Sequence, residues 1–560
     1  MMELTPEEKA VGKSNFHAAI GDSLTRREFL ERSIAAGVVS GAGLGAFYYG
    51  YEKIKDPVRV GFIGTGDEGS VLIGAHTPDY LQVVAIADIR PYNIHRAFHG
   101  DPVALGPRPG LMAKCGWKSE DEARKHVKIY DQDYKDLLKD PDVEAVVIAL
   151  PLHLHDVVAI EAMQAGKHVL TEKLMGYSVA RCKNMARVAN KLQKHLATGH
   201  QRHYSVLYDN AVDMIQRGLL GDLHSIRAQW HRTKDSWYAK LPDESLVKEL
   251  EGQRKKLLEA AEKKDNARIE ALSRNVADLE YRLLDKDKVD AEKYGYQRKT
   301  ITQGSLTYEC SPLEELIRWR LWQRTGGGLM AELGSHQLDA AGIFCTAVRK
   351  KDADGHVQKS RPLTVSAVGG RHLYPLNREC DDHVYCMFEY PGPDYESDPN
   401  KKIVVTYSSI NGNGFGGYGE VVMGTEGTLV LEVEKEVMLY SNAGASTHVK
   451  VAKGKSDKPV LSTSESGASP AATVGKKALD AGPVSRGYTE ELEHFAWCIR
   501  NFDFEKNKPK CHPEVALADA VIALTTNLAI ARGERIEFKD EWFKIDRDET
   551  PEGDKPEVAV

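Results

Sequence analysis

The sequence predicts an α/β protein whose first domain is a doubly wound parallel sheet, and three observations predict it. A short apolar run carrying Val58, Val60, Phe62 and Ile63 leads directly into Gly64-x-Gly66-x-x-Gly69, and a second run, Val83 to Ala87, ends in Asp88. From Val58 to about Ala197 strand-like and helix-like stretches alternate, the pattern of a parallel sheet covered on both faces. The chain has 560 residues, more than one core usually holds, so a second domain with insertions is expected.

The glycine turn has a physical reading residue by residue. The first glycine makes the tight turn, the second lets the backbone approach a pyrophosphate, and the third lets the helix pack on the strand. The helix N-terminus then offers free N–H groups to the phosphates. Asp88 stands at the end of the second strand, where a carboxylate holds ribose hydroxyls. This is a Rossmann dinucleotide site. It favours NAD, because Asp88 repels a 2′-phosphate, and NADP is the alternative, because Arg90 nearby softens that repulsion.

The later elements follow in order. Ile129-Tyr130 is a strand, Tyr134 to Leu138 a short helix, and Asp140-Pro141-Asp142 a turn. Ala145 to Leu150 is a continuous apolar strand, Val157 to Ala165 a helix closed by Gly166, and His168 to Leu170 a strand running into Thr171-Glu172-Lys173. Ligands bind outside the carboxyl ends of such strands. The cofactor-binding candidates are therefore Gly64, Thr65, Gly66, Asp67, Glu68, Gly69, Asp88, Leu150, Pro151, His153, His155, Glu172 and Lys173.

These residues, with Ala165-Gly166-Lys167-His168-Val169-Leu170, Glu172-Lys173-Leu174, Gly199-His200-Gln201-Arg202, Gly326-Gly327-Gly328 before Glu332-x-x-x-His336-x-x-Asp339, and Gly424-Thr425-Glu426-Gly427-Thr428, resemble the Gfo/Idh/MocA oxidoreductases. The resemblance covers about residues 58–240 and 310–545. It implies a Rossmann domain followed by a C-terminal α/β domain with a large open, mostly antiparallel sheet. It also implies hydride transfer between NAD(P) and a sugar, sugar derivative or cyclic polyol, and a homo-oligomer formed through that sheet. Two positions depart from the family pattern. Leu174 stands where Glu-Lys-Pro has proline, and Glu332 where Asp is usual. The resemblance adds Gln201 and Arg202 to the cofactor contacts. Trp230, His231 and Arg232 line the substrate cleft or, alternatively, pack the second domain.

Oxidising an alcohol needs a base for the hydroxyl proton and a cation for the developing alkoxide. Lys173, at a strand end, supplies positive charge. A histidine such as His336 can accept or donate a proton near neutral pH, and Glu332, four residues earlier, shares its face if the segment is helical. Lys173, His336, Glu332 and Asp339 are the catalytic candidates, with either carboxylate orienting the imidazole. No metal is expected. Two other readings compete: an NAD-dependent glycoside hydrolase acting by transient sugar oxidation, and a non-catalytic nucleotide-carrying binding protein.

Composition narrows the classes. Net charge is −7 and pI about 6.3, which argues against nucleic acid as a partner. The eight cysteines show no C-x-x-C spacing. They read as buried thiols, and Cys498 with Cys511 is the one pair considered for a disulfide. Ser23-Leu24-Thr25-Arg26-Arg27-Glu28-Phe29-Leu30 before the small-residue apolar stretch Ile34 to Tyr49 resembles a twin-arginine export signal, leading to the periplasm or the outer face of the cytoplasmic membrane. Without a clear cleavage site, retention as a membrane anchor is part of this expectation.

Within the second half, Leu246, Leu250, Leu257, Ile269, Leu272, Val276, Leu279 and Leu283 recur mostly at helical steps, broken near Lys263-Lys264-Asp265-Asn266. This predicts a helical hairpin insertion over 243–285, lying outside every Rossmann motif. Residues 444–486, rich in Ala, Ser, Gly, Lys and Pro, predict a long surface loop. The expected organisation is signal or anchor and linker over 1–55, Rossmann domain over 56–197, α/β substrate and oligomerisation domain over 198–545, and a tail over 546–560.

Overall fold

The computed structural model describes residues 4–23, 51–101, 108–349, 357–374, 376–441, 450–453, 459–462 and 486–558. The Arg26-Arg27 pair and most of the 444–486 stretch lie outside the described residues. The first sheet contains β1 (Val58–Ile63), β2 (Leu81–Ala87), β3 (Lys128–Tyr130), β4 (Ala145–Ile148), β5 (His168–Glu172) and β6 (Leu196–Gly199) in the order β3-β2-β1-β4-β5-β6. Every pairing is parallel. The order reverses between β1 and β4, so the glycine turn after β1 and Leu150 after β4 both border the crevice where such sheets bind ligands.

The chain then enters the second domain through β7 (Leu223–Thr233). After the insertion come the hairpin β8 (Lys299–Gln303) and β9 (Leu306–Cys310), then β10 (Thr364–Gly370), β11 (His383–Pro391), β12 (Lys402–Gly412), β13 (Tyr418–Gly424), β14 (Gly427–Glu432) and β15 (Glu436–Ser441). A small ribbon of β16 (Lys450–Lys453) and β17 (Pro459–Ser462) follows, and β18 (Ile536–Glu537) comes last. Eight strands form one open sheet, β15-β14-β13-β7-β12-β11-β10-β18, antiparallel except where β12 runs parallel to β7. Strand alternation divides its faces. Val384, Cys386, Phe388 and Tyr390 of β11 are buried, whereas Tyr385 and Met387 point outward and are exposed.

Three later segments tie the domains together. The helix Tyr488–Arg500 packs Leu492, Phe495 and Ala496 into the core that holds Val60 and Phe62 of β1. The helix Pro513–Arg532 is the one described helix long and apolar enough to cross a membrane; it packs instead in the interior, with Ala516, Leu517, Val521 and Ile522 buried. The tail docks on the first domain: Lys183 Nζ donates to the Glu541, Arg547 and Glu549 carbonyls at 2.7–2.9 Å, and Arg187 to those of Ile545 and Val558.

Two contacts go beyond the expected organisation. The helix Pro6–Ser23, within the stretch 1–55 expected to be signal or anchor and linker, packs on β15 with Phe16 and Ala19 buried, Asn15 donating to the Leu439 carbonyl at 2.9 Å and Lys9 paired with Glu432. It covers an edge strand that would otherwise present an unpaired backbone. The insertion forms two helices, Glu244–Glu262 and Asn266–Lys288, each started by an aspartate N-cap (Asp243 and Asp265) and sealed by Leu246, Leu250, Val276 and Leu279. It does not stand apart from the Rossmann domain, because its second helix packs on the helix Pro91–His99 that follows β2.

Candidate functional site

The glycine turn is built as its chemistry requires. Gly64 has φ +88°, and a side chain there would strike the Ala149 carbonyl at 2.4 Å. A side chain on Gly69 would strike the Gly64 carbonyl at 2.3 Å. At Gly66, by contrast, nothing lies closer than 3.6 Å, so the backbone is open where a diphosphate passes. The helix Asp67–Ala75 begins there with no side chain capping its N–H groups, which leaves them to an anion. Asp88 accepts the Thr65 N–H at 2.8 Å, the Arg90 N–H at 2.9 Å and Asn93 Nδ2 at 3.1 Å. The fit to a dinucleotide therefore rests on an open cradle at Gly66 and a carboxylate fixed beside it.

The ribose end has a wall the sequence did not show. Arg90 Nε and Nη2 reach Asp285 Oδ2 at 2.9 and 2.8 Å, and the Tyr92 N–H donates to Asp285 Oδ1 at 3.3 Å. Burial raises the Asp285 carboxyl against the lowering effect of Arg90. Removing one partner of such a pair typically costs about 3–5 kcal/mol, against about 0–1 kcal/mol for an exposed ion pair, so this contact constrains Arg90. Val289, Ala291, Tyr296 and Leu316 pack against Ile89. The buried Tyr296 ring meets His153 edge-on at 5.7 Å.

The other end lies at the carboxyl end of β5. Lys173 Nζ donates to the Glu332 carbonyl at 2.7 Å and lies 3.6 Å from Glu332 Oε2. Glu332 Oε1 accepts Arg320 Nε at 2.6 Å, and Arg320 reaches across to Asp67 of the glycine turn at 3.5 Å. Arg320 and Lys173 together pull the Glu332 carboxyl down to about 2 despite its burial. Met330–Gly334 is a π-helical turn running into the helix Ser335–Ala347, so Glu332 and His336 are set by a widened turn rather than by a regular four-residue step.

His336 is buried, and its pKa falls well below 6.5, mainly through burial and then through the Lys173 and Arg202 charges. Both influences favour the neutral ring. It lies 5.3 Å from Trp230, which stacks on Tyr418 at 4.4 Å and carries Arg232 at 5.1 Å.

Several expected roles are corrected by these contacts. Neither Glu332 nor Asp339 orients His336: Glu332 holds Lys173 and Arg320, while Asp339 accepts His203 Nε2 at 2.8 Å and Lys359 Nζ at 2.9 Å. Lys359 also contacts Asp519 at 2.5 and 2.6 Å. His200, Asp339 and Asp519 lie close enough to share a metal ion, but the Lys359 ammonium bridges the two carboxylates. Arg202 is buried against Glu434 at 2.7 Å, with Gln201 on the same carboxylate at 3.4 Å, so both side chains have a partner within the protein. His155 bridges the Leu150 and Leu174 carbonyls at 2.8 Å each, bracing the β4 and β5 loops instead of meeting a ligand. His231 points to the face opposite Trp230 and Arg232, toward the Phe415 carbonyl and Ser408 Oγ, as strand alternation dictates. All eight cysteines are free, so Cys498 and Cys511 are not paired.

Of the remaining candidates, Leu150 lies against the Gly64 turn and Pro151 leads into the short turn Leu152–Leu154. Glu68 and Glu172 are close enough that the Glu68 charge adds to burial in raising the Glu172 carboxyl. Glu172 also explains Gly199, where a side chain would meet its Oε1 at 2.8 Å. No motif or spacing in the sequence marks Arg320, Asp285 and Tyr296.

Residues 58–200 match the Gfo/Idh/MocA family model, described as the oxidoreductase family with an NAD-binding Rossmann fold. The first domain is an NAD-binding Rossmann fold. A "Glycosyl hydrolase family 109 protein" of Shewanella pealeana is 29% identical over 182 residues, 32% of this chain and 36% of that protein. The "1-carboxy-3-chloro-3,4-dihydroxycyclo hexa-1,5-diene dehydrogenase" of Comamonas testosteroni is 30% identical over 172 residues, 30% of this chain and 37% of that protein. The match thus spans little more than a third of these relatives. An oxidoreductase domain protein from Kribbella flavida superposes with a TM-score of 0.52 at 14% identity, covering 86% of this chain and all of that one. The aldose-aldose oxidoreductase of Caulobacter crescentus, complexed with glycerol, does so with a TM-score of 0.50 at 15% identity, again over 86% and 100%. These two show that the two-domain fold is shared.

Proposed function

We propose that the protein is an NAD-dependent oxidoreductase acting on a CH–OH group of a sugar, a sugar derivative or a cyclic polyol. The observation that carries this reading is the Lys173 ammonium held on the Glu332 carbonyl at the end of β5, with the buried His336 ring close enough to feel its charge. NAD, when bound, supplies the hydride acceptor. His336 takes the hydroxyl proton at a ring nitrogen, and burial with the Lys173 charge keeps that nitrogen unprotonated and ready. Lys173 Nζ sets positive charge where an alkoxide oxygen develops. Trp230 and Arg232 offer an aromatic face and a cation, a pair that suits a sugar ring bearing acidic or hydroxyl groups.

A second reading is favoured by the glycosyl hydrolase name of the Shewanella relative. The same base and cation serve a glycoside hydrolase that oxidises the sugar transiently and returns the hydride. One experiment separates the readings. The purified full chain is incubated with NAD and a panel of sugars, cyclic polyols and aryl glycosides, following cofactor absorbance and aglycone release together. Net cofactor reduction supports the oxidoreductase. NAD-dependent aglycone release without net reduction moves the assignment to the hydrolase. Bound nucleotide with neither signal leaves a non-catalytic nucleotide-carrying protein.

We further propose export by the twin-arginine route, on the strength of Arg26-Arg27 and the apolar stretch behind them, and self-association through the outer face of the large sheet, where Val368, Tyr385 and Met387 are exposed. Replacing both arginines with lysine is expected to keep the folded protein in the cytoplasm on fractionation; export of that variant counts against the signal. A monomer in analytical ultracentrifugation counts against the sheet interface.

A further inference from the structure

We infer that the inserted hairpin selects the cofactor: Asp285 withholds Arg90 from the ribose end of the dinucleotide site, so a 2′-phosphate there meets the Asp88 carboxylate without the Arg90 cation to offset it. The inference rests on the NAD-binding assignment of the first domain. Arg90 lies just past Asp88, and its backbone N–H donates to Asp88 Oδ1 at 2.9 Å, so its side chain starts at the edge of the ribose site. An arginine in this neighbourhood is what accommodates a 2′-phosphate in dinucleotide folds. Among the described side chains and N–H groups bonded to Asp88, those of Thr65, Arg90 and Asn93, Arg90 is the one that brings a cation.

That cation is already paired. Its Nε and Nη2 both engage Asp285 Oδ2, and the Asp285 side chain is 1% exposed. The second carboxylate oxygen takes the Tyr92 N–H, so Asp285 is fastened to the first turn of the same helix and cannot follow Arg90 outward. Arg282, one turn earlier on the inserted helix, lies 3.9 Å over the Tyr92 ring and bonds its hydroxyl. The hairpin thus grips the turn at two points. Swinging Arg90 toward a phosphate would strand a buried, unpaired carboxylate. The nearby Arg96 is engaged as well, by Asp67 at 2.9 Å.

The test titrates NAD and NADP separately into the full-length protein by isothermal calorimetry, for wild type, Asp285→Asn and the double variant Arg90→Gln/Asp285→Asn. Wild type should prefer NAD. Asp285→Asn keeps an acceptor for the Tyr92 N–H and removes the charge, so its NADP dissociation constant should fall about tenfold while that for NAD shifts less than about threefold. The double variant should lose this gain. An unchanged NADP-to-NAD ratio in an Asp285→Asn protein with wild-type circular dichroism and melting overturns the inference, as does a gain that survives in the double variant. If Asp285→Asn does not fold, the double variant alone decides. NADP affinity equal to wild type supports the withheld arginine, and a loss confined to NADP shows that Arg90 already serves the phosphate. A wild type that binds neither dinucleotide overturns the cofactor assignment itself, and this inference with it.

Discussion

The two ends of the cofactor crevice use charge in opposite ways. At the ribose end the charges are matched and static: Arg90 is neutralised by a buried aspartate, and Asp88 is saturated by backbone and amide donors. At the β5 end, Lys173, Arg320 and Arg232 surround one carboxylate, Glu332, beside an uncharged histidine. The first arrangement can discriminate between ligands without moving. The second gathers cations beside a histidine, which is what a developing anion requires. Selection and chemistry are therefore separable by mutation.

The largest effects should come from the β5 end. Lys173→Ala and His336→Ala are each expected to lower turnover by about 10²–10⁴-fold with NAD affinity nearly unchanged, measured by steady-state kinetics and cofactor titration. Their combination should cost less than the product, because groups acting on one proton and one charge are not additive. Near-normal turnover in His336→Ala would move the base role to Lys173. Arg320→Ala should cost about tenfold in kcat/KM, since Glu332 would lose its ion-pair partner. A weakened affinity for NAD would accompany it only if Arg320 also serves the diphosphate side through Asp67.

Replacing 243–288 by a short Gly/Ser bridge should be milder at the chemical step. It should change the NADP-to-NAD affinity ratio while any substrate that turns over keeps its kcat within about threefold. Loss of turnover with unchanged cofactor selectivity would reverse the assignment of the two ends.

The smallest effect is on stability. His76, His195 and His200 are buried, with pKa values lowered by burial from 6.5 to about 4, 4 and 3. The unfolded chain binds protons at these sites that the folded chain refuses, so stability is full above pH 6.5 and declines as pH falls from there toward the folded values. Melting temperatures measured across that window should drop steadily. A flat profile would show that these rings are charged in the folded protein.

Much of the first domain could be read from the chain because its determinants are contiguous. Gly64, Gly66 and Gly69 act on one another's backbone within a single turn, and Asp88 ends the neighbouring strand, so local spacing carries the geometry. The heptad-like leucines of the insertion likewise find their partners within the hairpin. What only the tertiary structure decided are contacts between segments far apart in sequence: Arg90 with Asp285, Lys173 with Glu332, Arg320 with Asp67, and the helix Pro6–Ser23 on β15. Such pairs leave no period or motif, because a salt bridge depends on where two backbones meet and not on the residues beside either partner. For the same reason the pattern around Asp339 suggests a carboxylate orienting His336, and that around Arg202 a cofactor contact, while the fold supplies Lys359 and Glu434 as their partners.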